Sequence, residues 1–409
     1  MTEQTDPPRV QVQKAATAEP NATGLGRNVV ALGWVAFFGG LSQDMILPIL
    51  PTFYTAVLGL TPEFIGLIEG AMTTVVSLVK IGAGYLSDAL GLRKPIVFVG
   101  YALSALARFA LGLAGSGAAA FGLRVIDGVG KGLKDAPRDA LVAGSAGDRK
   151  LGFAFGVQRT LDTLGSVAGP LITFELLRVW ATHPNKYREI FMAAGLVATI
   201  PLLIIGLLVR ERKMAVSKQR LSFAVLRGPF AGFLAVMLLF TLGNSSDAFL
   251  ILRAENVGVA TVMIPVVYAL FNLVSALTAI PAGSLSDRIG RRRTITYGWA
   301  VYALAYLGFA VAYQPWMIWG LYAFYGFYYA LTEGAAKAMI ADLVPDAGRG
   351  GAYGLYNASV GVMALPASVI AGALWTRIGP AAPFAFGAAM AALAVVALRF
   401  VPNFARQEQ

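Results

Sequence analysis

Apolar stretches of 20 to 29 residues alternate along the chain with short polar or basic interruptions. Each stretch is long enough to cross a bilayer core of roughly 30 Å as an α-helix. The pattern predicts helices over residues 29–57, 61–87, 94–114, 117–139, 150–178 and 188–210, then 229–253, 259–286, 294–313, 315–342, 350–376 and 380–402. They group into two six-helix bundles, 29–210 and 229–402, joined by a basic cytoplasmic connector at 211–228. Residues 1–28 are polar, hold Pro7 and Pro8 and contain no apolar run, so they read as a disordered cytoplasmic tail and not as a signal peptide. Residues 403–409 form a second tail.

One element appears in both halves. Gly84-Tyr85-Leu86-Ser87-Asp88-Ala89-Leu90-Gly91-Leu92-Arg93-Lys94 returns as Gly283-Ser284-Leu285-Ser286-Asp287-Arg288-Ile289-Gly290-Arg291-Arg292-Arg293. In each copy an apolar segment ends in Gly-x-Leu-Ser-Asp, turns on a glycine, carries a basic pair and enters another apolar segment. The element resembles the loop between helices 2 and 3, and again between 8 and 9, of the major facilitator superfamily of secondary transporters, and the resemblance covers residues 29–402. It implies an all-α membrane protein of twelve transmembrane helices in two pseudo-symmetric six-helix bundles. It also implies a gating role for Gly84, Asp88, Arg93, Gly283, Asp287, Arg288 and Arg292. The first copy departs from the family pattern at Ala89 and Leu92, where basic residues are usual.

Composition excludes a soluble globule. With 57% hydrophobic and 13% charged residues and a mean hydropathy of +0.66, the surface must face lipid. The net charge of +11 sits in short loops: residues 93 and 94, 149 and 150, 210–227, 288–293 and 349 all fall on one side. The positive-inside rule makes that side the cytoplasm, with both termini there and a multi-pass location in the inner membrane. The loops near 58, 115 and 314 carry no basic residue; the 178–188 loop, with Arg178, Lys186 and Arg188, is the exception. This distribution argues against nucleic acid as a partner. Cysteine is absent and His183 stands alone, so no metal or other cofactor is expected.

A charged side chain at mid-bilayer costs at least about 2.5 to 3.5 kcal/mol on insertion scales, so each one needs a partner or a wet cavity. Helix 4 carries Arg124, Asp127, Lys131, Lys134 and Arg138 within an arc of about 80°. Gly128 and Gly132 beside this stripe allow close helix packing, and Pro137 is expected to kink or end the helix. Arg124, after Leu123 and before Gly128 and Gly130, resembles the family's helix 4 arginine motif, which is associated with proton coupling in drug exporters. The same stripe also fits a self-neutralised network, Asp127 with Lys131, and Asp135 and Asp139 with Lys134 and Arg138. On helix 5, Gln158, Asp162, Gly165 and Gly169 share a face, and Arg159 is expected to pair with Asp162. The spacing of Gly156, Gly165, Gly169 and Pro170 is similar to the family's antiporter motif, although Thr173 replaces a further glycine; plain close packing is the alternative.

Leu41-Ser42-Gln43-Asp44 and Gly243-Asn244-Ser245-Ser246-Asp247 place acids at nearly equivalent depths, 44 residues before Asp88 and 40 before Asp287. Asp44 and Asp247 are candidate proton carriers at the repeat interface, alongside Asp127, Arg124 and Asp162, or else a polar pair that fixes packing. Lys131, Arg159, Gln158, Asn244, Tyr325, Tyr328, Tyr329, Glu333 and Lys337 are candidate cavity residues, the tyrosines belonging to an aromatic run on helix 10 and Glu333 and Lys337 pairing one turn apart. Glu69 and Lys80 on helix 2 are too far apart to pair, Arg108 on helix 3 is expected to snorkel toward lipid, and His183 is expected to be solvated.

No phosphate-binding Gly-rich loop, selectivity-filter repeat or Ser-His-Asp set is present. The reading is a monomeric proton-coupled secondary transporter and not an enzyme, similar to drug/H+ antiporters, with a small organic solute, protons and the lipid bilayer as partners. Export by H+ antiport with alternating access comes first and proton-driven uptake of an organic anion second. A non-transporting sensor or lipid scramblase on the same scaffold is the third reading.

Overall fold

The computed structural model describes residues 26–146, 151–211, 226, 228–345 and 348–402. The tails 1–25 and 403–409, basic residues Arg149 and Lys150, and nearly all of the 211–228 connector lie outside the described residues. Twelve helical spans follow in order: α1 Arg27–Val57, α2 Pro62–Leu90, α3 Lys94–Leu111, α4 Gly117–Ala146, α5 Leu151–Val179, α6 Lys186–Leu208, α7 Pro229–Asn256, α8 Thr261–Ile289, α9 Arg291–Val311, α10 Pro315–Leu343, α11 Arg349–Arg377 and α12 Ala382–Leu398. Among the described residues there is no strand. Eight of the spans are long and apolar enough to cross a membrane by length and composition.

Local chemistry sets where the helices begin and turn. Thr61 accepts the backbone N–H of Phe64 at 3.4 Å, and Pro62 opens α2 where its missing N–H costs nothing. The two repeat hairpins turn on Gly91 (φ 63°) and Gly290 (φ 91°), a left-handed backbone that a side chain would oppose. Glu211 accepts the backbone N–H groups of Arg93 at 3.2 Å and Lys94 at 2.7 Å, which places a carboxylate on the start of α3. Lys94 donates to the Val209 carbonyl at 2.7 Å, just past α6, and Arg292 donates to the Val401 carbonyl just past α12, so each repeat staples the end of its own bundle's last helix.

Two spans depart from regular α geometry beside the molecular centre. Pro48 and Pro51 turn α1 into a 3-10 segment at Leu47–Ile49 and a π segment at Phe53–Val57. In α7 the helix stops at Gly243 and resumes at Ala248, leaving Asn244, Ser245 and Ser246 unwound. Pro137, by contrast, neither kinks α4 to a stop nor ends it: the helix runs through to Ala146. One lost backbone bond is outweighed by packing on both flanks. An added Cβ at Gly132 would lie 2.8 Å from the Val76 carbonyl of α2, and one at Gly130 would lie 2.6 Å from the Gly100 carbonyl of α3.

The α2–α3 and α8–α9 hairpins lie on the face that also carries the start of α1 and the end of α12, here called the basic face. On the opposite half the bundles close on each other along α2 and α11. A Cβ at Gly66 would meet the Ser368 carbonyl at 2.2 Å, one at Gly70 the Leu365 Cα at 2.8 Å, and one at Gly372 the Glu63 Cα at 2.7 Å. Thr74 donates to the Gly361 carbonyl at 2.8 Å, Arg377 reaches Glu63 at 3.4 Å, and Thr52 donates to Glu255. Toward the basic face the seam opens: a Cβ at Gly84 would find nothing nearer than Ala136 of its own bundle at 3.7 Å, and one at Gly283 nothing within 4 Å. The fold is therefore a two-bundle clamp, shut on one face.

The chain has no native cysteine, so single reporters can be placed in it. Gly66→Leu is expected to wedge α2 from α11 and to raise at least tenfold the rate at which a cysteine at Ser77, on the wall between the bundles, reacts with an impermeant maleimide added from the opposite face. An unchanged rate would show that this seam does not seal the interior.

Candidate functional site

A cavity of about 460 Å³ lies between the bundles, with walls from α1, α2, α4, α7, α8, α10 and α11. Its charged lining residues are Glu69, Arg124, Lys131 and Asp247. The unwound stretch of α7 supplies Asn244, Ser245 and Ser246, and Gln43, Thr73, Asn357 and Ser368 add amides and hydroxyls from other helices. Non-helical backbone at membrane depth is tolerated where it borders a wet cavity, and α7 breaks at such a place.

Behind the wall sits a compact ionic cluster. Arg124 grips Glu69 with both ends of its guanidinium, Nε to Oε1 at 3.1 Å and Nη2 to Oε2 at 2.8 Å, and its Nη1 reaches Asp127 Oδ2 at 3.1 Å. Arg108 approaches the other oxygen of Asp127 at 3.4 Å and donates to Ser42 Oγ at 2.9 Å. Ser42 in turn donates to the Ala194 carbonyl of α6 at 2.7 Å, and Tyr54 donates to Glu69 at 3.3 Å. Two guanidiniums and two carboxylates thus tie α1, α2, α3, α4 and α6 together with no net charge. All four residues are at most 7% exposed, and bidentate pairing is what makes such burial tolerable.

The remaining acids have different company. Asp247, on the cavity wall at the α7 break, receives the hydroxyls of Tyr325 at 3.1 Å and Tyr329 at 3.2 Å. Among the described residues no cation lies within 4 Å of it. Asp44 is buried inside intact α1, faces Ser166 of α5 and does not line the cavity. The two acids of the repeated Ser-x-Asp stretch therefore differ in access.

Several expectations are corrected. Arg108 does not snorkel: it is 3% exposed, because Asp127 answers its charge at 3.4 Å and Ser42 accepts one of its donors inside the bundle. Asp127 pairs with Arg108 and Arg124 in place of Lys131, whose ammonium has no carboxylate within 4 Å among the described residues. Arg159 reaches across to Glu333 of the other bundle at 3.4 Å, not to Asp162, since its side chain is 70% exposed on the open side of the clamp. Asp162 packs instead against Gly40 of α1. His183 is not simply solvated; it lies 3.4 Å from Glu189.

Of the predicted cavity residues, Lys131, Asn244 and Tyr329 line it, and so do Arg124 and Asp247. Gln158 is buried and donates to Asp139 at 3.3 Å. Glu333 and Lys337 form an exposed pair at 2.9 Å nearer the basic face. Tyr325 and Tyr328 do not stack along the cavity: they pack into an aromatic core with Phe240, Phe271, Tyr302 and Tyr306, where the Tyr302 and Tyr306 rings are 4.0 Å apart. Tyr325 still serves the wall through Asp247, and Tyr328 accepts from Asn244 at 3.2 Å. Lys134 and Arg138 find Asp135 at 3.7 Å and Asp139 at 3.4 Å. In the repeat, Arg93 pairs with Asp88 at 3.3 Å and donates to the Ala140 carbonyl of α4 at 3.2 Å, and Arg291, not Arg288 or Arg292, pairs with Asp287 and reaches Asp342 of α10 at 3.8 Å. Arg188, which breaks the loop-charge trend, donates to the Gly112 and Ala114 carbonyls at 3.0 and 2.6 Å and so caps the end of α3. Glu69 was the cluster residue least visible in the sequence; its only signal was an acid in the middle of an apolar helix.

The family model for the Major Facilitator Superfamily matches residues 32–253 and 230–409. An uncharacterized MFS-type transporter of Methanocaldococcus jannaschii is 34% identical over 96% of this chain and 99% of its own length. A class G tetracycline resistance protein of Vibrio anguillarum is 24% identical over 68% of this chain and 72% of its own. Among solved structures, the nucleoside transporter NupG superposes with a TM-score of 0.78 at 12% identity, over 92% of this chain and 100% of that one.

Removing one partner of the ionic cluster strands a buried charge. Arg108→Leu is expected to destabilise the protein by about 3 to 5 kcal/mol, read as a lower unfolding midpoint in detergent, and the double replacement with Asp127→Leu to recover most of that loss. A double variant no more stable than the single one would contradict the pairing.

Proposed function

The chain belongs to the Major Facilitator Superfamily, and on that footing we propose that it exports a small organic compound in exchange for protons by alternating access. The observation that carries this reading is Asp247, a carboxylate on the cavity wall whose described partners are two neutral hydroxyls. Such a group takes up or releases a proton without breaking an ion pair. Asp127 would first have to surrender two guanidiniums.

The cycle follows from this difference. With the clamp open to the basic face, taken as cytoplasmic from its lysines and arginines, solute enters and a donor or cationic group on it occupies Asp247 in place of the proton. Rocking of the bundles parts the α2–α11 seam and opens the opposite face, where a proton displaces the solute. The protonated carrier returns, driven by the proton gradient, at about 2.3 kcal/mol per charge per 100 mV plus the pH difference. Asp44 is the second proton candidate. Arg124, Asp127 and their partners hold the wall in shape. Arg159 and Glu333 already join the bundles at 3.4 Å on the side of the basic face, with Lys337 on Glu333, and the repeat hairpins with Gly84, Asp88, Gly283 and Asp287 gate that face. The glycine spacing of α5 and the likeness to a tetracycline resistance protein favour export. Lys131, facing the cavity with no carboxylate within 4 Å among the described residues, favours the second reading, uptake of an organic anion with protons.

In proteoliposomes with an imposed pH difference, the wild-type protein is expected to drive a solute against its gradient and out of the compartment matching the cytoplasm. Asp247→Asn is expected to lose at least nine-tenths of the pH-driven movement while keeping solute-for-solute exchange. Full driven transport in that variant would remove Asp247 from coupling, and accumulation in the reverse direction would favour uptake.

A further inference from the structure

The charges on the cavity wall are left over in a specific way. Glu69 and Arg124 answer each other at 2.8 and 3.1 Å, and Asp127 and Arg108 complete a cluster with no net charge, so neither of its two cavity-lining members is free for a solute. Two lining charges stay outside that cluster. Lys131 projects from α4 of the first bundle, and its ammonium has neither a carboxylate within 4 Å nor a hydrogen-bond acceptor among the described residues. Asp44 and Asp135 face it from beyond ion-pair distance, so they temper its charge without occupying its donors. Asp247 projects from α7 of the second bundle and has tyrosine hydroxyls only. The rest of the wall mixes amides and hydroxyls, from Gln43, Asn244, Asn357 and Ser245, with apolar residues such as Met72, Ile251 and Val360.

We propose that the solute is amphoteric: a small hydrophilic compound with a carboxylate or similar anionic group for Lys131 and an ammonium or similar cationic group for Asp247. A lipophilic cation would satisfy Asp247 and leave Lys131 facing a dewetted cavity with an unanswered charge. An organic anion would do the reverse. Burying an unpaired charge is the costly outcome, so a wall with one spare charge of each sign selects against both. The volume fits this class, since about 460 Å³ is at the small end of ligand cavities, which are otherwise mostly apolar. Because the two anchors belong to different bundles, a solute that engages both also ties the bundles together, and a solute lacking either charge does not.

This inference rests on the reading of the cavity as a solute site but not on proton coupling, so it is tested by binding at one fixed pH. The probes are free amino acids, ω-amino acids and dipeptides, each matched with its methyl ester, which lacks the anion, and its N-acetyl derivative, which lacks the cation. Protection of the purified protein against thermal unfolding gives the affinities. At least one zwitterion is expected to protect, with both derivatives at least tenfold weaker. Lys131→Gln is expected to abolish the preference for acid over ester while keeping that for amine over N-acetyl, Lys131→Arg to restore it, and Asp247→Asn to show the converse loss. Protection by esters or by N-acetyl compounds equal to that of the zwitterions, protection by no zwitterion, or equal loss of both preferences in Lys131→Gln would overturn the proposal. Failure of pH-driven transport in vesicles would leave it standing.

Discussion

An ionised group inside hydrocarbon must be answered by an opposite charge or by water, and the architecture follows from how each one is answered. The first bundle answers four of its charges internally, through Arg124 with Glu69 and Asp127 with Arg108. That closure welds five helices into a body that can move as one. Lys131 and Asp247 are answered by the cavity, which must then stay wet or hold a polar solute. One requirement thus produces both the ion-paired body of the first bundle and the two charges left on the cavity wall.

The two bundles meet this requirement differently. The first is held together by buried ions; the second by stacked rings, with Trp299 on Phe240 at 4.8 Å and Tyr302 on Tyr306 at 4.0 Å. Those rings also supply the hydroxyls that reach Asp247, so the aromatic core of the second bundle sets the position of its acid. Pseudo-symmetry of the backbone, visible in the paired turns at Gly91 and Gly290, does not extend to the chemistry each half contributes.

The spans and the repeat were legible because lipid imposes a one-dimensional rule: about 20 apolar residues, then a polar turn. The stripe on helix 4 was legible for the same reason, since residues three and four apart share a face. Partners on other helices were not. A lone Arg108 in an apolar helix has the same local pattern whether it meets lipid or Asp127, and only the rotation of α3 decides. The same applies to Glu69, which looked unpaired within its own helix. The tyrosines of α10 spread around its circumference, so sequence alone did not separate Tyr329, at the cavity, from Tyr325 and Tyr328, in the core. The α7 break was foreshadowed by Gly243-Asn244-Ser245-Ser246, residues that compete with helical bonding.

The α2–α11 seam has a steric consequence. At Gly66, Gly70 and Gly372 the seam is backbone against backbone of the other bundle, and at Gly361 the Ser77 side chain fills the space a Cβ would take. Faces packed this closely expose both of their surfaces when they part. Between those contacts the seam is tied by a few polar latches, Thr74 on Gly361, Thr52 on Glu255 and Arg377 on Glu63. Because the backbones already touch there, bulk added at Gly66, Gly70 or Gly372 has no room to enter, whereas the latches have water as a ready substitute.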